Sequence, residues 1–367
     1  MKTKILSITL LLVAALSAVS CNKPDPIDPV NYEVLLGAYI LNNGTYGNND
    51  ASLAAYDPYS KTYQWNVFQQ ANGKKLGDIA QDVLVFGTKM YISVCNSGVI
   101  FVVDKVSCKL VGEIRVSSEG SSTPLSPRHF TTFENAAYVS YYEGYVGKID
   151  TTSLKITELS QVGPNPEYLA ICNQKLYVAN SGGMNYPDYG NTVSVLNPVD
   201  LHVMKTITVA SNPQILAADN ENELYLISWG NYADVPACLQ RISGETDAVK
   251  VVEGVDSPFL MSMGAENFLY LITSSYDANW NPTYGIHVFN ANNQYEKIVR
   301  EFITDGTIIR NPYSITADPL TGLVYIGESD YVTTGTMHVF TYEGLNITSF
   351  DTGGMNPTAV GIVTNKN

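Results

Sequence analysis

Short apolar runs recur along this chain, each closed by a polar turn and answered by a second apolar run. The phrase PEYLAICNQKLYVANSGG begins at residue 166, PQILAADNENELYLISWGN at 213, PFLMSMGAENFLYLITSSY at 258 and PYSITADPLTGLVYIGESD at 312. PRHFTTFENAAYVSYYEG at 127 and IAQDVLVFGTKMYISVCNSG at 79 follow the same plan, the latter without the leading Pro. Each phrase gives a short strand, a turn and a second strand of the LYV type. A third strand (TVSVLNP, CLQRIS, GIHVFNA, TMHVFTY, VIFVVDK) and a fourth (KTITVAS, KVVEGVDS, KLVGEIRVS) complete the unit. The period is roughly 40 to 50 residues, and four strands per repeat without helical periodicity is the signature of propeller blades.

The ends fix the number of blades. Residues 34–72 hold the second, third and fourth strands of a blade but no first, while NPTAVGIV at 356–363 reads as a first strand with nothing after it. Joined, they make one blade and cover edges that would otherwise be exposed. The fold class expected is all-β, a seven-bladed β-propeller over residues 34–364. Its blades are 34–78 with 357–364, 79–123, 124–165, 166–212, 213–257, 258–311 and 312–356.

In such a fold the first strands line a central channel. The loops from second to third strand lie on the face where the first strands begin. Those loops are longer than a hairpin needs and rich in aromatics and amides, whereas the opposite turns (DPYSKT, DKVSC, DTTSLK, NPVDLH) are short. Long loops on a rigid scaffold are where binding residues concentrate. The candidate ligand-binding set is taken from them: Asn43, Tyr46 and Asn48 in blade one, Asn96 in blade two, Tyr142 in blade three, and Asn180, Tyr186 and Tyr189 in blade four. Trp229 and Tyr232 follow in blade five, Tyr276, Trp280 and Tyr284 in blade six, and Asp330 and Tyr331 in blade seven. Arg128 and Tyr313, each directly after the Pro that opens a first strand, join them. Aromatics give apolar area at low entropy cost, and amides both donate and accept hydrogen bonds. Such a rim suits a neutral, bulky ligand with flat surfaces.

Composition adjusts this picture at three points. The formal net charge of −14 argues against nucleic acid as a partner. At the N-terminus, MKTK is a basic stretch, ILSITLLLVAAL an apolar one, and AVSC places small residues before Cys21. This reads as a lipoprotein signal peptide over 1–20 with lipidation of Cys21, and the Pro- and Asp-rich 21–33 as a flexible tether. The remaining cysteines, Cys95, Cys108, Cys172 and Cys238, match no CxxC pattern; strand contexts and no disulfide are expected.

No nucleophile, P-loop or zinc motif occurs. His287 and His338 share a repeat position, which marks a structural slot, and His129 lies in the first strand of blade three. Carboxylates at Asp78, Glu167, Asp256 or Glu328 could converge on the channel and hold a divalent ion in the manner of a propeller lactonase. The expectation is nonetheless a protein that is not an enzyme, with no metal and no intrinsic cofactor.

The repeated phrase resembles the surface-layer, YncE-like family of seven-bladed propellers across about 34–364. The blade-one phrase YILNNGTYGNNDASLAAYDP, after the lipobox Cys, is similar to Bacteroidetes propeller lipoproteins encoded near TonB-dependent transporters, including the BtuG type that binds cobalamin at the cell surface. The resemblance implies capture of a corrinoid on the loop-rich face, transfer to a TonB-dependent outer-membrane transporter, and a lipid-anchored, surface-exposed location. His129 is then a candidate axial ligand to cobalt. A glycan-binding or protein-docking propeller is the alternative from another class.

Overall fold

The computed structural model describes residues 35–292 and 296–365. Cys21 and the segments expected to be signal peptide and tether therefore lie outside the described residues. Seven four-stranded antiparallel sheets follow one another. The strands are short, β-branched and aromatic-rich, the composition that fits a pleated, half-buried surface. Blade one is closed as expected: Pro357–Thr364 pairs antiparallel with Leu35–Asn42, from Leu35 opposite Thr364 to Asn42 opposite Pro357. The innermost strands of blades two to seven are Ala80–Phe86, Pro127–Phe133, Pro166–Cys172, Pro213–Ala218, Pro258–Met263 and Pro312–Ala317.

The core lies between blades. Leu41 and Leu53 of blade one pack with Met90, Ile92 and Phe101 of blade two, and Tyr225 and Ile227 of blade five with Leu269 and Phe289 of blade six. Each fully buried side chain of this kind contributes roughly 1.5–3 kcal/mol. The Tyr of the LYV phrase stitches blades together. Tyr138 donates its hydroxyl to the Pro198 carbonyl at 2.7 Å, Tyr225 to Ala291 at 2.6 Å, and Tyr39 to Val106 at 3.2 Å. In each case the acceptor lies in the next blade's turn between third and fourth strands.

Two local expectations differ. The fourth strand of blade one is only Thr62–Gln64, and the chain then forms a short α-helix, Val67–Asn72. Val67 and Phe68 are buried there, and Phe68 packs on Phe101 at 5.1 Å, so adjacent apolar residues are satisfied on one helical turn. Gly73, at φ 66°, ends that helix in the left-handed conformation. Cys95 and Cys108 lie in turns, where strand contexts were expected; both are buried, and all four described cysteines are free.

One hydrogen bond recurs in all seven blades. A residue just past the end of the second strand, or in blade six two residues before that end, donates its N–H to the carbonyl just before the first strand: Asn43 to Asn356, Cys95 to Ile79, Tyr142 to Ser126, Ser181 to Asn165, Trp229 to Asn212, Ser274 to Ser257 and Ser329 to Asn311, at 2.8–3.2 Å. Five of the acceptor residues (Ile79, Asn165, Asn212, Ser257, Asn356) have φ between 46° and 61°. Asn tolerates that left-handed conformation best among residues with a Cβ, which accounts for its place before the strand-opening Pro.

Closure of blade one makes a direct expectation. A chain ending at Asn356 lacks Pro357–Thr364 and leaves Leu35–Asn42 without its inner partner. Circular dichroism during heating should show no cooperative transition. A melting temperature within a few degrees of the full chain would contradict the closure.

Candidate functional site

The recurring hydrogen bond is followed in every blade by a β-bulge. Between the first residue of the inner strand and the resumption of regular pairing, one extra residue is accommodated. Bulges re-aim side chains. Here the residues directly after the strand-opening position are Thr358, Gln81, Arg128, Glu167, Gln214, Phe259 and Tyr313 for blades one to seven, and all seven line one central cavity of about 460 Å³. That volume falls within the roughly 300–1,000 Å³ of small-molecule sites. Ile215, Met261 and Ile315, one or two residues further along their inner strands, also line the cavity.

The mouth has two halves. Blades six and seven supply Phe259, Tyr313 and Tyr331, and blade five adds Trp229. Trp229 stacks on Phe259 at 5.6 Å while its indole N–H donates to the Phe259 carbonyl at 2.9 Å, which locks both rings. Tyr313 meets Tyr331 edge-on at 5.7 Å, and Tyr284 lies 6.4 Å from Phe259. Blades two to five present polar groups. Arg128 and Glu167 form an ion pair, with side chains only 18% and 5% exposed. The guanidinium also lies over the Tyr142 ring, 4.6 Å from its centroid. His129 stacks on Tyr168 at 3.7 Å, with its Nδ1 3.6 Å from Asp82.

Burial pushes the hydroxyls of these tyrosines up, Tyr313 to about 12 with Tyr331 adding, Tyr142 upward with Glu167 adding, and Tyr168 upward with Asp82 adding. They remain protonated at neutral pH, so each hydroxyl carries a proton it can donate. Burial works against the Arg128 charge, but Glu167 with Cys95 and Tyr142 together outweigh it and hold the guanidinium protonated.

The candidate residues divide by position. Arg128, Trp229, Tyr313 and Tyr331 line the cavity. Tyr142 and Tyr284 back them, and Tyr186, Tyr189 and Tyr232 continue the aromatic arc, with successive ring contacts of 6.0 and 5.9 Å. Tyr276 and Trp280 form a separate exposed pair, 6.2 Å apart. Tyr46 is 78% exposed and outside the arc, with Asn48 in the same loop. Asp330 accepts N–H bonds from Val332 and Thr333 and shapes its own loop.

Three of the amides hold the scaffold. Asn43 is buried and donates to the Ala80 carbonyl at 2.7 Å; Asn180 is buried and donates to the Thr192 and Ser194 hydroxyls; Asn96 donates to Asp78 at 2.7 Å. Asn43 sits at a strand end and satisfies a backbone carbonyl there, while Asn180 and Asn96 tie side chains of neighbouring strands and loops.

Of the four carboxylates considered for the channel, only Glu167 lines the cavity. Asp78 accepts from Gly47 N–H and Asn96, and Glu328 pairs with His338 at 2.9 Å. His338 also bonds Ser349 and His287 bonds Thr273, as structural slots do. Among the described residues no group of three or more His, Cys, Asp or Glu could hold a metal ion. Phe259, Tyr168, Gln81, Gln214 and Thr358 were missed. The signal for four of them was present: they occupy the position of Arg128 and Tyr313 in the repeat.

A second recess, about 500 Å³, lies near the short turns, with Tyr39, Tyr56, Tyr63 and Val106 in its walls. It shares none of the aromatic arc.

A profile of the family described as Domain of unknown function (DUF5074) matches residues 36–228, just over half of the chain. No curated protein matches. Among solved structures, a quinonprotein alcohol dehydrogenase-like protein from Bacteroides thetaiotaomicron superposes with a TM-score of 0.61 at 14% identity, covering 92% of this chain and 80% of that one. A Bacteroides fragilis protein described only provisionally as a 6-phosphogluconolactonase gives 0.60 at 13% identity, covering 92% and 100%. Hydrazine synthase from Kuenenia stuttgartiensis gives 0.61 at 15% identity, covering 77% and 89%. At these identities the likeness is one of fold.

The buried ion pair makes an expectation for stability. Removing either partner leaves a charge unpaired, so Arg128→Ala or Glu167→Ala should each lower unfolding free energy by about 3–5 kcal/mol. The double variant should fall well short of the sum of the two. Additive losses in urea melts would show that the pair is not coupled.

Proposed function

The chain belongs to the DUF5074 family, and we propose that it captures a bulky, ring-bearing, uncharged small molecule at the channel mouth without transforming it. The observation that carries this reading is the ring of seven bulge positions, polar over blades one to five and aromatic over six and seven, opening into one cavity beneath an arc of tyrosines. Apolar walls with a few converging polar groups suit binding. The one acidic ring residue, Glu167, is held in an ion pair with Arg128, and the mouth tyrosines stay protonated. Neither supplies a nucleophile or a base for hydrolysis.

A corrinoid is the ligand proposed. It offers broad faces to the aromatics and a fringe of amides to Gln81, Arg128, Glu167 and Gln214. The resemblance to propeller lipoproteins extends the proposal: anchored through a lipid on Cys21, the protein holds its ligand at the outer-membrane surface and passes it to a TonB-dependent transporter.

The test is retention of colour. The mature chain, incubated with cyanocobalamin and desalted, should keep the corrinoid absorption spectrum. Trp229→Ala and Tyr313→Ala should each weaken binding at least about tenfold, the scale of a hot-spot truncation. Trp280→Ala, on the exposed outer pair, should change it less. No retained absorbance together with a response on a glycan array would replace the corrinoid with a sugar on the same aromatics.

A further inference from the structure

The bulge ring places a cation and an anion side by side at the mouth, on adjacent blades. Arg128 and Glu167 are paired, yet neither is used up. A guanidinium has five N–H donors in a fixed fork and a carboxylate about four acceptor positions. Glu167 otherwise accepts from the Ser181 hydroxyl at 3.4 Å, and Arg128 has its flat face on Tyr142. A neighbouring donor and acceptor of this kind match a group that is itself both, in plane and uncharged.

The rest of the lining gives the sign of the discrimination. Its charged side chains are Arg128, Glu167 and Asp82, with His129 beside them. Asp82 and Glu167 outnumber the one permanent cation, so a third carboxylate entering here meets repulsion that the charge of Arg128, already balanced by Glu167, does not offset. Gln81 and Gln214 flank the pair with further amide groups, and Gln214 directs its own N–H to Asn212 at 2.6 Å. Opposite stand Phe259, Tyr313 and Trp229, ready for a ring or an alkyl edge.

From this geometry we infer that the Arg128–Glu167 pair is a specificity subsite for a neutral carboxamide carried on an apolar or ring-bearing body, and that it excludes the corresponding carboxylate. The carboxamide oxygen accepts from Arg128, and its N–H donates to Glu167. The inference rests on reading the mouth as a ligand pocket and names which ligand group enters it.

The probes are benzamide and benzoate, compared on the mature chain by ligand-observed saturation-transfer NMR. Benzamide should bind and benzoate should bind at least about tenfold more weakly, since like-charge juxtaposition is penalised by more than one decade. Glu167→Gln keeps an acceptor and removes the charge, and it should narrow that gap. Benzoate binding as well as benzamide, or binding of neither probe, would overturn the inference without any variant. The corrinoid test fails separately. A protein that prefers benzamide yet retains no corrinoid colour keeps the carboxamide subsite and loses the corrinoid. One that retains colour but treats the two probes alike does the reverse.

Discussion

Everything distinctive about this molecule hangs on one backbone hydrogen bond, repeated in every blade. An N–H at or near the end of the second strand meets the carbonyl just before the inner strand. It fixes the top of each blade to the channel wall. It also holds five of the acceptor residues at positive φ, and a bulge follows in the inner strand. The bulge turns one side chain per blade toward the axis. A scaffold constraint thus produces a ring of seven addressable positions, and the chain fills it with Thr358, Gln81, Arg128, Glu167, Gln214, Phe259 and Tyr313.

The ring can vary because the blades do not depend on it. Stability resides between sheets, in interfaces such as Leu41–Ile92 and Ile227–Leu271, and in the tyrosines that reach across to the next blade's turn. The channel positions contribute less burial, and one of their few structural commitments is the Arg128–Glu167 pair. The same separation explains how chains sharing about one residue in seven can share the fold. Their common feature is the pattern that builds blades, which carries no information about what sits at the axis.

The seven blades and the strand exchanged between the two ends could be read directly, because the LYV phrase and the strand-opening Pro repeat in register. The site was half legible. Arg128 and Tyr313, both among the candidates, line the cavity, but so do Gln214, Phe259 and Thr358 at the same repeat position, which were passed over in favour of loop aromatics. Loop position alone could not separate Tyr142, which backs Arg128, from Tyr46, which stands 78% exposed and apart. Nor could it separate surface amides from Asn43 and Asn180, which turn inward to bond a carbonyl and two hydroxyls. The bulge was invisible because it leaves no residue signature; it shows only in pairing. Abundant tyrosine was likewise ambiguous, since Tyr91, Tyr138, Tyr177, Tyr225 and Tyr325 are core residues in one repeated slot. The helix at Val67–Asn72 escaped because a single turn has no periodicity to detect.

The bulge ring, and no other surface, is the proposed ligand site. A crystal structure of the mature chain grown with cyanocobalamin tests it most directly. Ligand density is expected at the channel mouth, in contact with Arg128 and Glu167 on one side and with Trp229, Phe259 or Tyr313 on the other. Ordered ligand among the short turns near Tyr39 and Val106, with an unchanged and solvent-filled mouth, would contradict it.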